Sequence, residues 1–247
     1  MSFTVISHIY NEEYLLPFWL TYHKNIFTHG IIIDYRSTDK SLDIIREICP
    51  TWQIITTRNP CFQADIVDRE VMDIENTFSG FKIVLNITEF LVLPKNFVIP
   101  QENTCIRMSV YTPLHSTNTY PYNLSDLIQN IQKIDYSTFR YFRTMHNYNN
   151  GNYELGRHST RHNFTQANSD IYVLWFGFYP WNDEIIKRKL QIKNNIPDSD
   201  RYSGRGTQHF LSTNDLVNQK NNLFNGASDA SSAVNTILDA INYRNIV

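Results

Sequence analysis

The residues Tyr10-Asn11-Glu12-Glu13 follow an apolar, β-branched stretch that runs from Phe3 to His8. A second apolar stretch, Gly30 to Ile33, leads in the same way into Asp34-Tyr35-Arg36-Ser37-Thr38-Asp39. Both stretches predict strands that end in acidic and amide side chains. In open α/β sheets, ligands bind outside the carboxyl ends of the strands, where the strand order reverses. The pattern therefore predicts a polar crevice suited to a hydroxyl-rich, nucleotide-like ligand.

The amino-terminal residues that follow continue the alternation of strands and helices. Ala64, Val67, Val71, Ile74 and Phe78 recur at steps of three and four residues, which predicts one face of an amphipathic helix. Strands that alternate with helices predict an α/β fold with a mostly parallel, Rossmann-like sheet flanked by helices. The predicted strands are residues 3–8, 30–33, 52–56, 81–85, 104–111 and 171–178, and the later predicted helices are 125–131, 182–192 and 230–243.

Composition and charge exclude several kinds of partner. The chain has 247 residues and a formal net charge of −2, so it has no general electrostatic attraction to nucleic acid or to an anionic membrane. Its longest apolar run, residues 171–181, contains Gly177 and Pro180 and is shorter than a membrane span. Its three cysteines are widely spaced and match neither a disulfide scaffold nor a zinc finger. These features predict a cytoplasmic protein.

Three spaced motifs together resemble a known family. They are Ser7-His8-Ile9-Tyr10-Asn11-Glu12-Glu13, then Asp34-x-x-Ser37-Thr38-Asp39, then an apolar strand that leads into Glu89-Phe90-Leu91. They resemble the GT-A glycosyltransferases of the family 2 type, including domains of giant-virus capsid-glycosylating enzymes. The resemblance implies a single GT-A domain over residues 1–247. Its nucleotide-sugar-binding half would be residues 1–95, and a looser acceptor-side half with a carboxyl-terminal helix would be residues 96–247.

The resemblance implies transfer of a sugar from a UDP- or GDP-sugar to a hydroxyl of a glycan or glycoprotein acceptor. Asp34 would accept a hydrogen bond from the base, which makes a charge-assisted bond. A structural interpretation competes with this one, because Asn11, Ser37 and Thr38 are of the residue types that cap helices. The residues that the resemblance places around the donor nucleotide are Asn11, Glu13, Asp34, Ser37, Asp39, Asn86 and Thr88.

At the fourth strand the chain departs from the family pattern. Asn86-Ile87-Thr88 stands where the family has two aspartates that hold a divalent cation against the donor diphosphate. Mn²⁺ and Mg²⁺ prefer carboxylate oxygens, so the change weakens a metal site, for which Glu89 and His209 remain the candidate ligands. Arginine side chains can neutralise phosphate oxygens instead. The candidate phosphate-binding residues, all in glycine-containing loops, are Arg157, Arg161 and Arg205.

The implied reaction is an inverting, in-line displacement, which needs a general base within reach of the acceptor hydroxyl. We predict that Asp200, or failing that Asp198, is this base, and Asp183 and Glu184 are further candidates. The predicted acceptor-binding residues are Tyr179 and Trp181, in an aromatic segment that equally fits a core strand.

Two other functions fit parts of the sequence. A non-catalytic nucleotide- or glycan-binding module could keep the GT-A fold after losing the metal-binding aspartates. A nucleotidyltransferase is less favoured, because no glycine-rich, lysine-containing phosphate loop follows the first strand.

Overall fold

The computed structural model describes residues 2–100, 103–117, 119–137 and 142–244, and for residues 240–244 it describes the backbone alone. The strands in this part of the chain are β1 (Phe3–Ile9), β2 (His29–Asp34), β3 (Gln53–Thr56), β4 (Phe81–Val84), β5 (Glu89–Val92), β6 (Cys105–Leu114), β7 (Lys133–Asp135), β8 (Phe142–His146), β9 (Thr165–Gln166), β10 (Tyr172–Trp175) and β11 (Ser228–Asp229). The α-helices are α1 (Leu16–His23), α2 (Ser41–Ile48), α3 (Ala64–Glu75), α4 (Leu124–Gln129), α5 (Asp183–Gln191), α6 (Asp198–Tyr202), α7 (Thr213–Gly226) and α8 (Ser231–Arg244).

The main path of the sheet has the strand order β11-β7-β6-β8-β4-β1-β2-β3. Strands β4, β1, β2 and β3 are parallel, whereas β8, β6, β7 and β11 continue the path with antiparallel pairs. The predicted α/β class, with a parallel sheet flanked by helices, is confirmed for the amino-terminal strands. Strand order reverses between β1 and β4, which is the position where open α/β sheets bind ligands.

Helices pack on both faces of the sheet. Successive side chains of β1 point to opposite faces, as in any strand. Val5 and Ile9 pack in the same core as Trp19 of α1, and Ile6 packs on the other face with Val67 of α3. The amphipathic helix predicted over residues 64–78 is therefore confirmed as α3, although it ends at Glu75. None of the helices in the described part of the chain combines the length and apolar character that a membrane crossing requires.

Several local predictions are wrong. Asn11 does not cap α1, because that helix begins at Leu16, and Asn11 instead has a positive φ of 52°. The short helix α6 lies between the predicted helices 182–192 and 230–243, where no helix was predicted. Helix α7 escaped prediction although its start carries a capping box, in which Ser212 and Asp215 each accept the other's backbone N–H.

Candidate functional site

A cleft of about 720 Å³ opens at the carboxyl ends of β1 and β4. His8 of β1 and the residues Tyr10 and Glu12 just after it line one side, and residues 86–89 line the cleft after the end of β4. Helix α5 and the segment 196–209 contribute the opposite wall. The sequence predicted a crevice between the ends of β1 and β2, but the structure places the cleft at the β1–β4 reversal.

The ends of β1 and β2 bind each other instead. The backbone N–H of Asn11 donates to Ser37 Oγ at 3.0 Å, and the N–H of Thr38 donates to Asn11 Oδ1 at 2.7 Å. The carboxylate of Asp34, which is 4% exposed, accepts the N–H of Ser37 at 3.0 Å. These bonds hold Asn11 in its left-handed conformation and occupy Asn11 Oδ1 and Asp34 Oδ1, two of the acceptors that were predicted to face a nucleoside.

The next residues of the two loops repeat this exchange. The N–H of Glu13 donates to Asp39 Oδ2 at 3.1 Å, and the N–H of Lys40 donates to Glu13 Oε2 at 3.1 Å. The described cleft lining includes Asn86 and Thr88 but none of the predicted nucleotide-binding residues of these two loops, which are Asn11, Glu13, Asp34, Ser37 and Asp39.

Both carboxylate oxygens of Glu89 accept hydrogen bonds within the wall of the cleft. Arg143 of β8 donates from Nε to Glu89 Oε2 at 2.8 Å and from Nη2 to Oε1 at 2.6 Å. Asn86 adds its backbone N–H to Oε2 at 2.9 Å and its side-chain amide to Oε1 at 3.1 Å. The Glu89 and Arg143 side chains are only 1% and 3% exposed. The pair is therefore a buried, bidentate ion pair with both carboxylate oxygens bound.

This arrangement does not fit the divalent cation that the family resemblance implies. A hard cation needs several free oxygen ligands, and the resemblance leaves Glu89 as the one carboxylate at this strand end. Its two oxygens already accept four hydrogen bonds. Nowhere in the described ranges do three or more histidine, cysteine, aspartate or glutamate residues form a group that could hold a metal ion.

Each further carboxylate that lines the described cleft also has an arginine partner. Arg188 of α5 binds Glu12 through Nε at 2.5 Å and Nη2 at 2.6 Å, so α5 is tied to the end of β1. Burial raises the pKa of Glu12, although the Arg188 guanidinium acts in the opposite direction. Arg157 binds Asp68 of α3, which also accepts the N–H of Gly156 at 2.6 Å.

Asp200, the predicted general base, lies in the cleft and is 2% exposed. Its Oδ2 accepts the N–H of Ala64 at 2.8 Å, at the first residue of α3, and its Oδ1 lies 3.3 Å from Nη1 of Arg205. Arg205 is 41% exposed and stands at the rim. Asp200 therefore joins the segment 196–209, called the rim segment below, to α3. This structural contact is independent of any chemical role.

Three histidines line the cleft, and their hydrogen bonds define which ring nitrogen can accept a proton. Arg143 donates to Nδ1 of His158 at 3.0 Å, and Arg157 lies 3.4 Å from Nδ1 of His8. A guanidinium can only donate, so in both rings Nδ1 accepts and Nε2 carries the proton. Burial lowers the pKa of His158 to about 4 and the pKa of His8 well below its usual value, so both are neutral.

His209 has the opposite tautomer. Its Nδ1 lies 2.9 Å from the carbonyl oxygen of Lys189, which can only accept, so Nδ1 carries the proton. Nε2 of the neutral ring is then an acceptor, and burial lowers the pKa of His209 and favours that neutral form. Among the described residues that line the cleft, His209 is therefore a base that is not occupied by an arginine.

Lys189 is the neighbouring cation on α5, a helix whose start is capped by Asn182. Its ammonium lies 4.1 Å from the ring centroid of Phe178 and 5.1 Å from that of Trp175. It lines the cleft, and within the described residues it has no carboxylate within ion-pair distance. Burial, with a smaller contribution from Arg188, lowers the pKa of Lys189 to about 7.

The remaining predicted site residues lie outside the cleft lining. Asp198 is exposed in the first turn of α6, and Arg161 is exposed after β8, where its backbone bonds Asn152. Tyr179 and Trp181 are 1% and 6% exposed and pack in the core. The aromatic rings that do reach the cleft from that segment are Trp175 and Phe178.

The sequence analysis does not predict several residues that line the cleft. They differ in whether a feature of the sequence could have identified them. Glu12 lies in a motif in which its neighbours Asn11 and Glu13 are predicted to bind the nucleotide. Arg188 and Lys189 lie on the basic side of a predicted helix. Arg143 carries no local signal, because its partner lies 54 residues away. His8 belongs to the quoted motif, but no sequence pattern states that its ring faces a cleft.

No protein-family model matches this sequence, and no curated protein matches it. Among solved structures, a crystal structure of S. aureus TarS 1–349 in complex with UDP-GlcNAc is 18% identical, with a TM-score of 0.30, over 37% of this chain and 28% of that chain. A crystal structure of S. aureus TarS 1–349 is 10% identical, with a TM-score of 0.37, over 78% of this chain and 66% of that chain. A crystal structure of S. aureus TarS is 11% identical, with a TM-score of 0.36, over 78% of this chain and 40% of that chain. The chain thus spans less than two thirds of each TarS chain, and likenesses of this size support no argument about fold or function.

Proposed function

We propose that this protein is a glycosyltransferase of GT-A type that binds a UDP- or GDP-sugar in the β1–β4 cleft and transfers the sugar to an acceptor hydroxyl. The observation that carries the proposal is the position and lining of the cleft. It lies where strand order reverses, and it combines arginine side chains with a neutral histidine acceptor and a lysine that has no carboxylate partner among the described residues. The proposal includes an inverting reaction and a glycan or glycoprotein acceptor. It also includes membership of the family 2-like subgroup and similarity to the capsid-glycosylating enzymes.

The charges of the cleft suit a diphosphate leaving group. Arginine guanidinium groups bind phosphate oxygens through paired N–H donors, and such donors stabilise charge that develops as the bond to the sugar breaks. Arg205 at the rim has the loosest described carboxylate contact of the four cleft arginines. We propose that it turns from Asp200 toward the donor diphosphate when the donor binds.

The proton of the acceptor hydroxyl needs an acceptor in the same cleft. Asp200 remains a candidate base, but its carboxylate already bonds Ala64 and Arg205. We propose His209 Nε2 as the base, because that atom is an acceptor and Nδ1 is fixed by the Lys189 carbonyl. The bond from the acceptor oxygen to the anomeric carbon forms as the bond to the diphosphate breaks, and the proton passes to Nε2.

A second function is favoured by one observation. Every carboxylate that lines the described cleft, namely Glu12, Asp68, Glu89 and Asp200, is paired with arginine. A module that binds a nucleotide or glycan without reacting with it would have no need of a free carboxylate base.

Thermal-shift screening against UDP-, GDP-, TDP- and CMP-sugars, with and without Mn²⁺, separates these functions. At 100 times its Kd, a donor that binds the folded state alone is expected to raise Tm by about 5 °C or more for a chain of this size. Stabilisation with donor hydrolysis or transfer supports the transferase. Stabilisation without turnover supports the binding module. If no nucleotide sugar raises Tm, the transferase and a nucleotide-binding module are both contradicted.

Arg205→Ala tests the rim arginine. We expect the donor KM to rise about tenfold, because a charged hydrogen bond to the diphosphate is lost. The matched control is Arg201→Ala, since Arg201 is an exposed arginine of the same segment that stacks on Phe210 and does not line the cleft. Equal kinetic effects in the two variants, measured by initial rates, would contradict a diphosphate contact of Arg205.

A further inference from the structure

The strand pair β5–β10 links Lys189, through the Trp175 ring, to the segment where the metal is expected. In their antiparallel register, Trp175 pairs with Glu89, and the N–H of Phe176 donates to the carbonyl of Thr88 at 2.7 Å. Residues 86–89 are the segment where the family resemblance expects a divalent cation. The Trp175 ring, over which the Lys189 ammonium lies, is therefore attached to the backbone next to that segment.

The charge balance of the cleft singles out the same side chain. The cleft arginines are Arg143, Arg157, Arg188 and Arg205, and each has a carboxylate partner. Their charges are offset before any ligand arrives. Within the described lining, the Lys189 ammonium is held by aromatic faces alone, which attract a cation without neutralising it. An entering anion meets its uncompensated charge.

From this placement, and resting on the function proposed above, we propose that the Lys189 ammonium replaces the divalent cation and binds the donor diphosphate directly. Donor binding is then independent of Mn²⁺ and Mg²⁺. Glu89, which the resemblance suggests as a metal ligand, serves instead to hold Arg143 and shape the wall behind the diphosphate.

The charged groups around Lys189 determine how this site responds to pH. Arg188 precedes it on α5 and is bound to Glu12, and His209 donates to its carbonyl from the rim segment. The nearby β5 contributes Glu89, which is bound to Arg143. None of these groups supplies a free negative charge, so burial keeps the pKa of Lys189 near 7, and a diphosphate is expected to raise it.

The test measures binding of the nucleotide sugar that gives the largest thermal shift, by titration calorimetry at pH 6.5 in EDTA. A nucleotide sugar is the right probe because its diphosphate has no group that titrates near neutral pH. We expect wild type to bind equally well in EDTA and in Mn²⁺. Lys189→Met is expected to weaken binding about tenfold to a hundredfold, and Lys189→Arg is expected to retain most of it. Lys187→Met is the matched control, since Lys187 is 73% exposed on the same helix.

The pH dependence gives a second readout. Between pH 7 and 9, wild-type affinity is expected to fall as Lys189 loses its proton, by up to about tenfold per pH unit. Lys189→Arg, whose guanidinium stays charged, is expected to remove that fall. A fall of the same size in Lys189→Arg would contradict the role of the ammonium.

Folding stability supplies an independent check that the variant is intact. The pKa of Lys189 is depressed in the folded state from 10.5, so its charge opposes folding below about pH 7, and that penalty fades as pH rises toward 10.5. Lys189→Met is therefore expected to raise Tm at pH 7 by a few degrees, on the order of 2–4 °C for each kcal/mol gained.

The outcomes separate this inference from the proposed function. If wild type binds the nucleotide sugar only when Mn²⁺ or Mg²⁺ is added, the lysine proposal is wrong and the transferase proposal stands. If Lys189→Met folds and binds as tightly as wild type, the lysine proposal is again wrong. If wild type binds no nucleotide sugar with or without metal, the proposed function itself fails.

Discussion

Arg143→Met is expected to lower the free energy of unfolding by about 3–5 kcal/mol, the largest stability effect we predict for this chain. The substitution leaves Glu89 buried at 1% exposure without the guanidinium that binds both of its oxygens. The remaining donors from Asn86 compensate for part of the charge but not for the lost ion pair. Urea unfolding of the purified variant, followed by circular dichroism, measures the change.

Two further variants determine whether the lost ion pair causes that effect. Arg46→Met breaks an ion pair with Asp43 in which the side chains are 62% and 82% exposed, so it is expected to change stability by less than about 0.5 kcal/mol. The double variant Arg143→Met/Glu89→Gln removes the orphaned charge and is expected to recover part of the loss. A loss below about 1 kcal/mol in Arg143→Met would show that Glu89 does not depend on its partner.

His209→Asn is expected to lower kcat by about a hundredfold to ten-thousandfold while leaving donor binding nearly unchanged. The asparagine amide can still donate to the Lys189 carbonyl, as Nδ1 of His209 does, but it offers no proton acceptor at the position of Nε2. Separate measurement of kcat by saturation kinetics and of donor Kd by calorimetry distinguishes loss of a base from loss of structure.

The pH dependence of kcat tests the same proposal, because it predicts the direction in which activity changes with pH. His209 must be neutral to accept a proton, and burial lowers its pKa from 6.5. Activity is therefore expected to stay level at neutral pH and to fall as the pH drops below 6.5 through that lowered pKa. His209→Asn is expected to abolish this acid limb.

Asp200→Asn and Asp198→Asn test the two aspartates that are alternative candidates for the base. Asp198 is exposed and lies outside the cleft lining, so its variant is expected to keep full turnover. Asp200→Asn is expected to lower stability through its contact with Ala64, with a smaller change in kcat than His209→Asn causes. If Asp200→Asn abolishes turnover in a folded protein and His209→Asn does not, Asp200 is the base.

Local periodicity was sufficient to predict much of the fold. Strand β1 and helix α3 carry apolar residues at steps that match a buried strand and an amphipathic helix, and both form where expected. Helix boundaries failed where tertiary bonds decide them. Helix α1 begins at Leu16 and is not capped by Asn11, because the backbone N–H and the side chain of Asn11 bond the loop after β2.

The site was only partly predictable for the same reason. Asn86, Glu89 and Arg157 were chosen from motifs and do line the cleft. Asn11 and Asp34 are predicted on the same grounds, but the N–H of Thr38 in the neighbouring loop bonds Asn11, and the N–H of Ser37 in the same loop bonds Asp34. A sequence shows which polar groups follow a strand, but not whether another backbone group binds them first. Arg188 reaches Glu12 across 176 residues, a pairing that only the folded chain reveals.

These long-range contacts also determine when the pocket is completed during translation. One wall of the cleft comes from the first ninety residues, and the other is closed by Arg188 on Glu12 and by Asp200 on Ala64. A chain still emerging from the ribosome can complete its early strands yet has no finished pocket until residue 200 has left the exit tunnel. Ligand binding therefore has to wait until α5 and α6 have been synthesised and have packed against the first part of the sheet.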